Sequence, residues 1–328
     1  MVRFLVARLL YAVPTLLAIS IIVFAIIQLP PGDYLTTLTA TMQEQGQVVD
    51  EAFLEALRVR YGLDQGFLVQ YGKWMTGMFQ GDFGLSFQYS RPVWDLIAER
   101  LPLTLLLGVA TMLVTWLIAL PAGIYSAIKQ RSAGDYAISG LGFLALAIPN
   151  FLAALLLAYV GFLLGQNVGG MFSPEFANTP WSWAKIVDLL AHLWIPVLVI
   201  GLGGTAGIIR VTRANMLDEL HKPYVTTARA KGMPEGRLVT KYPVRIALNP
   251  FISTSGWHLP AIFDGEVIVA QVLALGTMGP LLLSALKAQD MYLAGAILLI
   301  IAVLTVVGTL ISDVLLALVD PRVRFGKA

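Results

Sequence analysis

Few side chains in this sequence are placed to do covalent chemistry. The histidines His192, His221 and His258 are too scattered for an obvious metal cluster, and with no cysteine the chain has no thiolate ligand, thiol nucleophile or disulfide framework. No stretch matches G-x-x-x-x-G-K-[ST], so nucleotide phosphates are not cradled by that route. H-E-x-x-H, G-x-S-x-G and Ser/His/Asp arrangements are absent too. Gly201, Gly203, Gly204 and Gly207 lie inside an apolar run, where glycine serves close helix packing. What remains is a pair of carboxylates and a cluster of cations.

Asp264 and Glu266 interrupt a stretch that is otherwise uncharged from residue 246 to 286. Carboxylates beside apolar runs are expensive in lipid and by default mark a polar path. On a helix, residues two apart sit about 200° around the axis, so the two cannot point the same way. Solvation at a helix end near the interface is the simpler reading, and a structural pair with another subunit is a third. The cations gather in residues 210–245, which hold eight Lys and Arg against Asp218, Glu219 and Glu235. Within that segment Pro223 suits a helix start and Gly232 a helix stop, which bounds the nine residues PYVTTARAK. Positive charge facing lipid headgroups is the plain reading of such a loop. A helix this short is marginal alone, however, and needs something to pack against, for which another subunit is the natural candidate.

The elements that would position these groups are membrane spans. Of 328 residues, 57% are hydrophobic and 13% charged, and the mean hydropathy is +0.76. A soluble domain carries about 25% charged residues, so the deficit must sit in long uncharged runs of at least about 20 residues. Such runs lie between Arg8 and Asp33, Arg100 and Lys129, Asp135 and Glu175, Asp188 and Arg210, and Asp290 and Asp313. The third is too long for one helix, and Gly165, Asn167, Gly169 and Gly170 place its helix end near residue 165, before an interfacial loop with Trp181 and Trp183. Residues 246–286 read as one span plus a short re-entrant or interfacial piece, because Gly276, Gly279 and Pro280 break the second half; two full spans is the alternative.

Six spans put both termini on one side, together with 15 of the 22 Lys and Arg residues, and the positive-inside rule makes that side the cytoplasm. Seven would strand the basic tail outside. The first run is longer than a secretory signal core and lacks a small-x-small cleavage pattern, so it is kept as a span. Residues 30–100 then lie outside, with a short amphipathic helix at Asp50 to Tyr61 and a second stretch, Pro92 to Arg100, leading into the next span. This segment is too poor in apolar residues to bury a large core of its own.

A string of motifs resembles one family. Tyr224-Val-Thr-Thr-Ala-Arg-Ala-Lys-Gly232-Met233, followed by Arg245-Ile-Ala-Leu-Asn-Pro250, is similar to the EAA loop of ABC-importer permeases, in the form used by the dipeptide/oligopeptide subfamily. Arg8-Leu-Leu-Tyr-Ala-Val-Pro14, Tyr61-Gly-Leu-Asp64, Gly81-Asp-Phe-Gly-Leu-Ser86, Arg91-Pro-Val, Ile97-Ala-Glu-Arg-Leu-Pro102 and Asp320-Pro-Arg322 resemble its further landmarks, in family order.

The resemblance implies an all-α integral membrane protein of the type I importer permease fold in the bacterial cytoplasmic (inner) membrane. It implies a first helix over 1–29, an extracytoplasmic cap over 30–100, a core over 101–318 with its EAA loop at 214–245, and a tail over 319–328. The implied partners are a second, homologous permease, two ATPase subunits, an extracytoplasmic solute-binding protein and membrane lipid, with no nucleic acid. No catalytic residue, metal or cofactor is expected on this chain, ATP and Mg²⁺ being held by the ATPases. The ATPase-coupling residues are expected to be Tyr224, Thr227, Ala228, Arg229, Lys231, Gly232 and Met233, and the path residues Asp264, Glu266 and Gln271.

Two departures from the family pattern stand out. Thr226 replaces the usual Glu of the EAA motif, so docking rests on helix shape. Between Gly265 and Gly279, Ala270 replaces Glu, Leu273 replaces an aromatic, and Leu275-Gly276-Thr277 replaces Trp-Pro-Gly. If that region borders the path, oligosaccharide becomes a rival to peptide as cargo. An ion-coupled secondary transporter is a more remote alternative; it would show uptake that survives loss of the ATPase and collapses with the ion gradient. A membrane scaffold or intramembrane enzyme would instead show substrate turnover without ATP.

Overall fold

The computed structural model describes residues 2–319 except 30, 31, 33, 46–50, 62, 63, 178, 249, 250 and 252–266. Among the described residues the regular structure is α-helix, with one isolated bridge between Leu85 and Pro92. Helices are what apolar runs must form in lipid, where every backbone N–H and C=O has to be satisfied within the segment.

The helices are α1 (Val2–Gln28), α2 (Tyr34–Glu44), α3 (Glu51–Tyr61), α4 (Phe67–Phe79), α5 (Val93–Ile128), α6 (Ala133–Ala147), α7 (Asn150–Leu163), α8 (Trp183–Leu220), α9 (Pro223–Ala230), α10 (Glu235–Lys241) and α11 (Pro243–Ala247). After them come α12 (Met278–Lys287) and α13 (Met291–Val319). Four stretches are long and apolar enough to cross a membrane: Arg8–Gln28, Val93–Ile128, Trp183–Leu220 and Met291–Val314. The pair α6 and α7 makes a fifth if it is one broken span.

That pair differs from expectation. The third apolar run does end near residue 165, at Leu163, but it is two helices bent by 103°. The cause is Pro149, whose ring disfavours helical backbone at the residue before it; Ile148 is accordingly extended, with φ −85° and ψ 122°. The second half of the 246–286 region is broken, as its glycines and proline suggested. Helical backbone over 267–272 gives way to a turn over 273–277, and α12 has only ten residues.

The chain divides into two compact units. One comprises Val2–Thr104 and Thr277–Val306. Its core explains the segment after α1, which contains two helices that composition did not reveal, α2 and α4. On α4, Phe67, Tyr71 and Trp74 recur at helical spacing and close around Phe24 of α1, at ring-centroid distances of 5.3, 5.5 and 5.4 Å. Trp74 is buried, and its indole lies 3.0 Å from where a Cβ on Gly295 of α13 would sit, so glycine there permits the contact. Asp290 immediately precedes α13 and is fully buried. Its carboxylate accepts hydrogen bonds from the Ser86 hydroxyl (2.6 Å) and from the backbone N–H groups of Gln88 (3.1 Å) and Leu293 (3.2 Å).

The other unit comprises Leu105–Gly276 and the chain from Val307 onward. Here α6, α7 and α11 pack on α8. Lipid provides no hydrophobic drive between helices, so close backbone approach has to do the work. A Cβ on Gly123 of α5 would stand 2.9 Å from the carbonyl oxygen of Ile209 on α8, and one on Gly201 of α8 would stand 2.8 Å from the Thr115 hydroxyl of α5.

Candidate functional site

The 210–245 segment is a built surface. Helix α8 runs unbroken for 38 residues to Leu220, and after an intervening His221 and extended Lys222, Pro223 opens α9. Proline fits the first helical position because its missing N–H is unsatisfied there anyway. At the other end Gly232 takes φ +77°, the Met233 N–H donates to the Ala228 carbonyl (3.3 Å) and the Gly232 N–H to the Arg229 carbonyl (3.0 Å). This is a Schellman stop, and it turns the chain into α10.

An eight-residue helix stays folded because one face is buried. Val225 and Ala228 of α9 join Ala127 of α5, Met216 of α8, Leu238 and Val239 of α10 and Ala247 of α11 in one apolar core, with Leu217, Leu220, Tyr224 and Tyr242 against its edge. Burial at about 25 cal/mol per Å² is what offsets the ordering of so short a helix. The Tyr224 hydroxyl donates to the Glu219 carboxylate, and burial beside that negative charge pushes the phenol up to about 12. It therefore stays neutral. Across the turn the Arg229 guanidinium donates to Glu235; both side chains are exposed, and the pair holds Glu235 below and Arg229 above their usual ranges.

On the outer side of this assembly is a hollow of about 360 Å³ lined by Tyr224, Thr227, Ala228, Lys231, Gly232, Met233, Pro234, Arg237 and Tyr242. Six of the seven coupling residues expected from sequence share it; Arg229 stands outside, in its pair with Glu235. Ala228 lies in its floor as part of the core. Arg237 and Tyr242 complete the wall and were not singled out from sequence, although Arg237 stands on α10 five residues beyond the Gly232 stop.

The expected path residues are less assembled. Asp264 and Glu266 lie outside the described residues. Gln271 is exposed on the 267–272 helix. The neighbouring family departures are buried: Ala270, Leu273 and Leu275 are 0%, 3% and 3% exposed, the Gly170 N–H donates to the Leu273 carbonyl (2.9 Å) and the Leu275 N–H to the Ala270 carbonyl (2.8 Å). These side chains fill a turn. A separate apolar crevice of about 260 Å³ lies among α5, α6 and α8, with Thr115, Gly201 and Thr205 in its wall and no ionisable lining residue. The His192 Nδ1–H donates to the Asp188 backbone carbonyl (2.7 Å), a helix-internal contact. Among the described residues no group of three or more His, Asp or Glu side chains could hold a metal ion.

Sequence reasoning passed over Asp135. In the sequence it bounds an apolar run, yet it is 3% exposed and paired with Arg213 of α8: Nε donates to Oδ1 and Nη2 to Oδ2, both at 2.9 Å. The signal was present. Ser132-x-x-Asp135 has the spacing of a helix-start capping motif, and Ser132 does cap α6 by accepting from the Asp135 N–H (3.2 Å).

Several long apolar helices with a basic loop folded against them define a polytopic membrane component. Residues 119–325 match the family described as binding-protein-dependent transport system inner membrane component, and residues 1–108 match its N-terminal counterpart. The chain belongs to this family of multi-pass inner-membrane permeases. It is similar to the oligopeptide transport system permease protein AppB of Bacillus subtilis, at 38% identity over 99% of this chain and 100% of the relative. A putative peptide permease protein of Brucella ovis is 35% identical over 99% of both chains. The oligopeptide transport system permease protein OppB of Salmonella typhimurium is 29% identical over 99% of this chain and 100% of its own. The family read from the motif string is the family found.

Proposed function

We propose that this chain is one of two permease subunits of an ATP-driven importer of peptides, that it forms half of the translocation path, and that it takes its motion from a separate ATPase through α9. The cargo follows from the relatives, which are named for oligopeptide and peptide transport along their full length. Burial of Ala270, Leu273 and Leu275 favours peptide over oligosaccharide, since side chains that fill a turn do not select a solute.

The observation that carries the coupling role is α9 itself, a capped helix joined to the end of the 38-residue α8 by only two intervening residues. A displacement of α9 is passed straight into a span. The hollow beside it, walled by Tyr224, Met233 and Tyr242 and rimmed by Lys231 and Arg237, suits an acidic or aromatic side chain of a partner. In this reading the chain crosses the membrane six times, α6 and α7 forming one broken span, with both termini and α9 in the cytoplasm. ATP binding closes the ATPase pair, drags α9, and switches the two permeases between outward-open and inward-open states.

The test uses the whole complex in proteoliposomes with its solute-binding protein. Thr227 is exposed on α9 and lines the hollow, so Thr227→Trp fills the hollow without touching the core. Ala228→Pro breaks the helix outright, and Gly232→Glu adds strain at φ +77° and bulk beside the hollow. ATP hydrolysis that persists while uptake falls to background is the expected result for all three. Wild-type uptake per ATP in Thr227→Trp would overturn the coupling role.

A further inference from the structure

We infer that Asp135 is a positioning residue for transport: its bidentate pair with Arg213 slaves α6 to α8, so that motion delivered by α9 swings α6 about the break at Ile148–Pro149. The inference rests on the coupling role proposed for α9. It adds where the motion goes next.

The joint is unusually constrained for a helix contact. Asp135 sits in the first turn of α6 and is 3% exposed. Both of its carboxylate oxygens are engaged from three directions. Arg213 of α8 reaches Oδ1 and Oδ2 at 2.9 Å, the Ser126 hydroxyl of α5 donates to Oδ1, and the Arg131 N–H donates to Oδ2 at 2.8 Å. Arg213 Nε also lies 3.1 Å from the Ser126 oxygen. The Arg131 backbone takes φ +62° to present that N–H. Two glycines let the elements close on one another: a Cβ on Gly134 of α6 would stand 2.6 Å from the Tyr125 hydroxyl of α5, and one on Gly123 of α5 would meet the Ile209 carbonyl of α8.

Place and geometry give the joint its role. Ser126 precedes Ala127, and Arg213 is three residues before Met216; Ala127 and Met216 belong to the core that holds α9. The joint therefore lies where the α9 assembly meets the spans. Apolar side chains slide past one another at little cost, because their attraction has no direction. Two parallel N–H···O bonds to one carboxylate resist both rotation and sliding. A buried ion pair adds little net stability over an apolar pair of the same shape, so its fixed geometry is the property that distinguishes it. Helix α6 leads from this joint to a 103° bend at its other end, where Ile148 is extended and Pro149 supplies no N–H. A short helix welded at one end and broken at the other is a lever.

The experiment uses the full complex in proteoliposomes and three variants. Asp135→Asn keeps the size and loses the charge, Arg213→Lys keeps the charge and loses the fork, and Asp135→Glu is the conservative control. Uptake per ATP hydrolysed is expected to fall about two-fold to thirty-fold in the first two, the span of known coupling changes, with recovery in Asp135→Glu. Assembly and melting temperature are expected to change little in Arg213→Lys. Because the chain has no cysteine, spin labels at Gly140 on α6 and Val211 on α8, both exposed, report the distance between the two helices. That distance should stay fixed between nucleotide-free and nucleotide-bound wild type and should spread in Asp135→Asn.

A distance that already changes in the wild type, or an unchanged uptake-to-ATP ratio in both Asp135→Asn and Arg213→Lys, overturns the inference. So does a loss of assembled complex with a normal ratio in what remains, which would make the pair structural only. Absence of ATP-driven uptake in the wild-type complex would instead sink the proposed function, leaving the spin-label result to be judged alone.

Discussion

Asp135 and Asp290 are buried acids with opposite surroundings. Asp135 has a guanidinium against it. Asp290 has only neutral donors, the Ser86 hydroxyl and backbone N–H groups, and burial outweighs them to raise its carboxyl above the ordinary carboxylate value. The native state therefore keeps this proton to a higher pH than the unfolded chain does. The sign follows from linkage: the contribution is fully present below the unfolded value of about 4 and is lost as pH rises through the native value. Thermal unfolding in detergent should accordingly show a downward slope of stability with pH in that window, flatter in Asp290→Asn. An equal slope in both proteins would show that the carboxyl titrates normally. For Asp135, Asn keeps one oxygen to accept from Arg213, Ser126 or the Arg131 N–H whereas Ala leaves these donors unmatched and a cavity behind, so Asp135→Ala should unfold more readily than Asp135→Asn, and melting temperatures decide it.

The helices differ in how openly the sequence announced them. Helix α9 was legible because Pro223 and Gly232 act through the backbone, one by a missing N–H and the other by a positive φ, and both effects are local. Gaps between charges do not reveal the break between α6 and α7, because a proline inside an apolar run leaves the hydropathy high while disfavouring helix at the preceding residue. Helix α4 was missed since its folding depends on Phe24, more than forty residues earlier in the chain. The hollow was half legible: its α9 wall is local, but Tyr242 reaches it only through the turn that Gly232 and Pro234 create. Close packing gives a further element-scale expectation. Gly123→Ala places a methyl 2.9 Å from the Ile209 carbonyl and should cost about 1–3 kcal/mol by overpacking. Gly140→Ala on α6 meets nothing within 4 Å and should be neutral or slightly stabilising, as helix propensity favours alanine. Comparable melting temperatures for the two would mean that α5 and α8 do not touch there.

In the proposed function the work of the whole molecule is divided between the spans, which would form a path, and one small helix, which would meet the ATPase. In the proposed six-span topology, 15 of the 22 Lys and Arg residues share the side of α9. Single cysteines in this cysteine-free chain can read that topology directly. Position 240 on α10 and position 80 after α4 are both exposed, and an impermeant thiol reagent added to intact cells should modify the second and spare the first. The most direct measurement of the central claim is a cross-link. A photo-reactive residue at position 227, with position 80 as control, is carried through assembly of the complex in membranes and then irradiated. Position 227 is expected to join the chain to the ATPase subunit, and position 80 is not. A position 227 that captures only lipid, or an ATPase adduct formed from position 80, would contradict that claim.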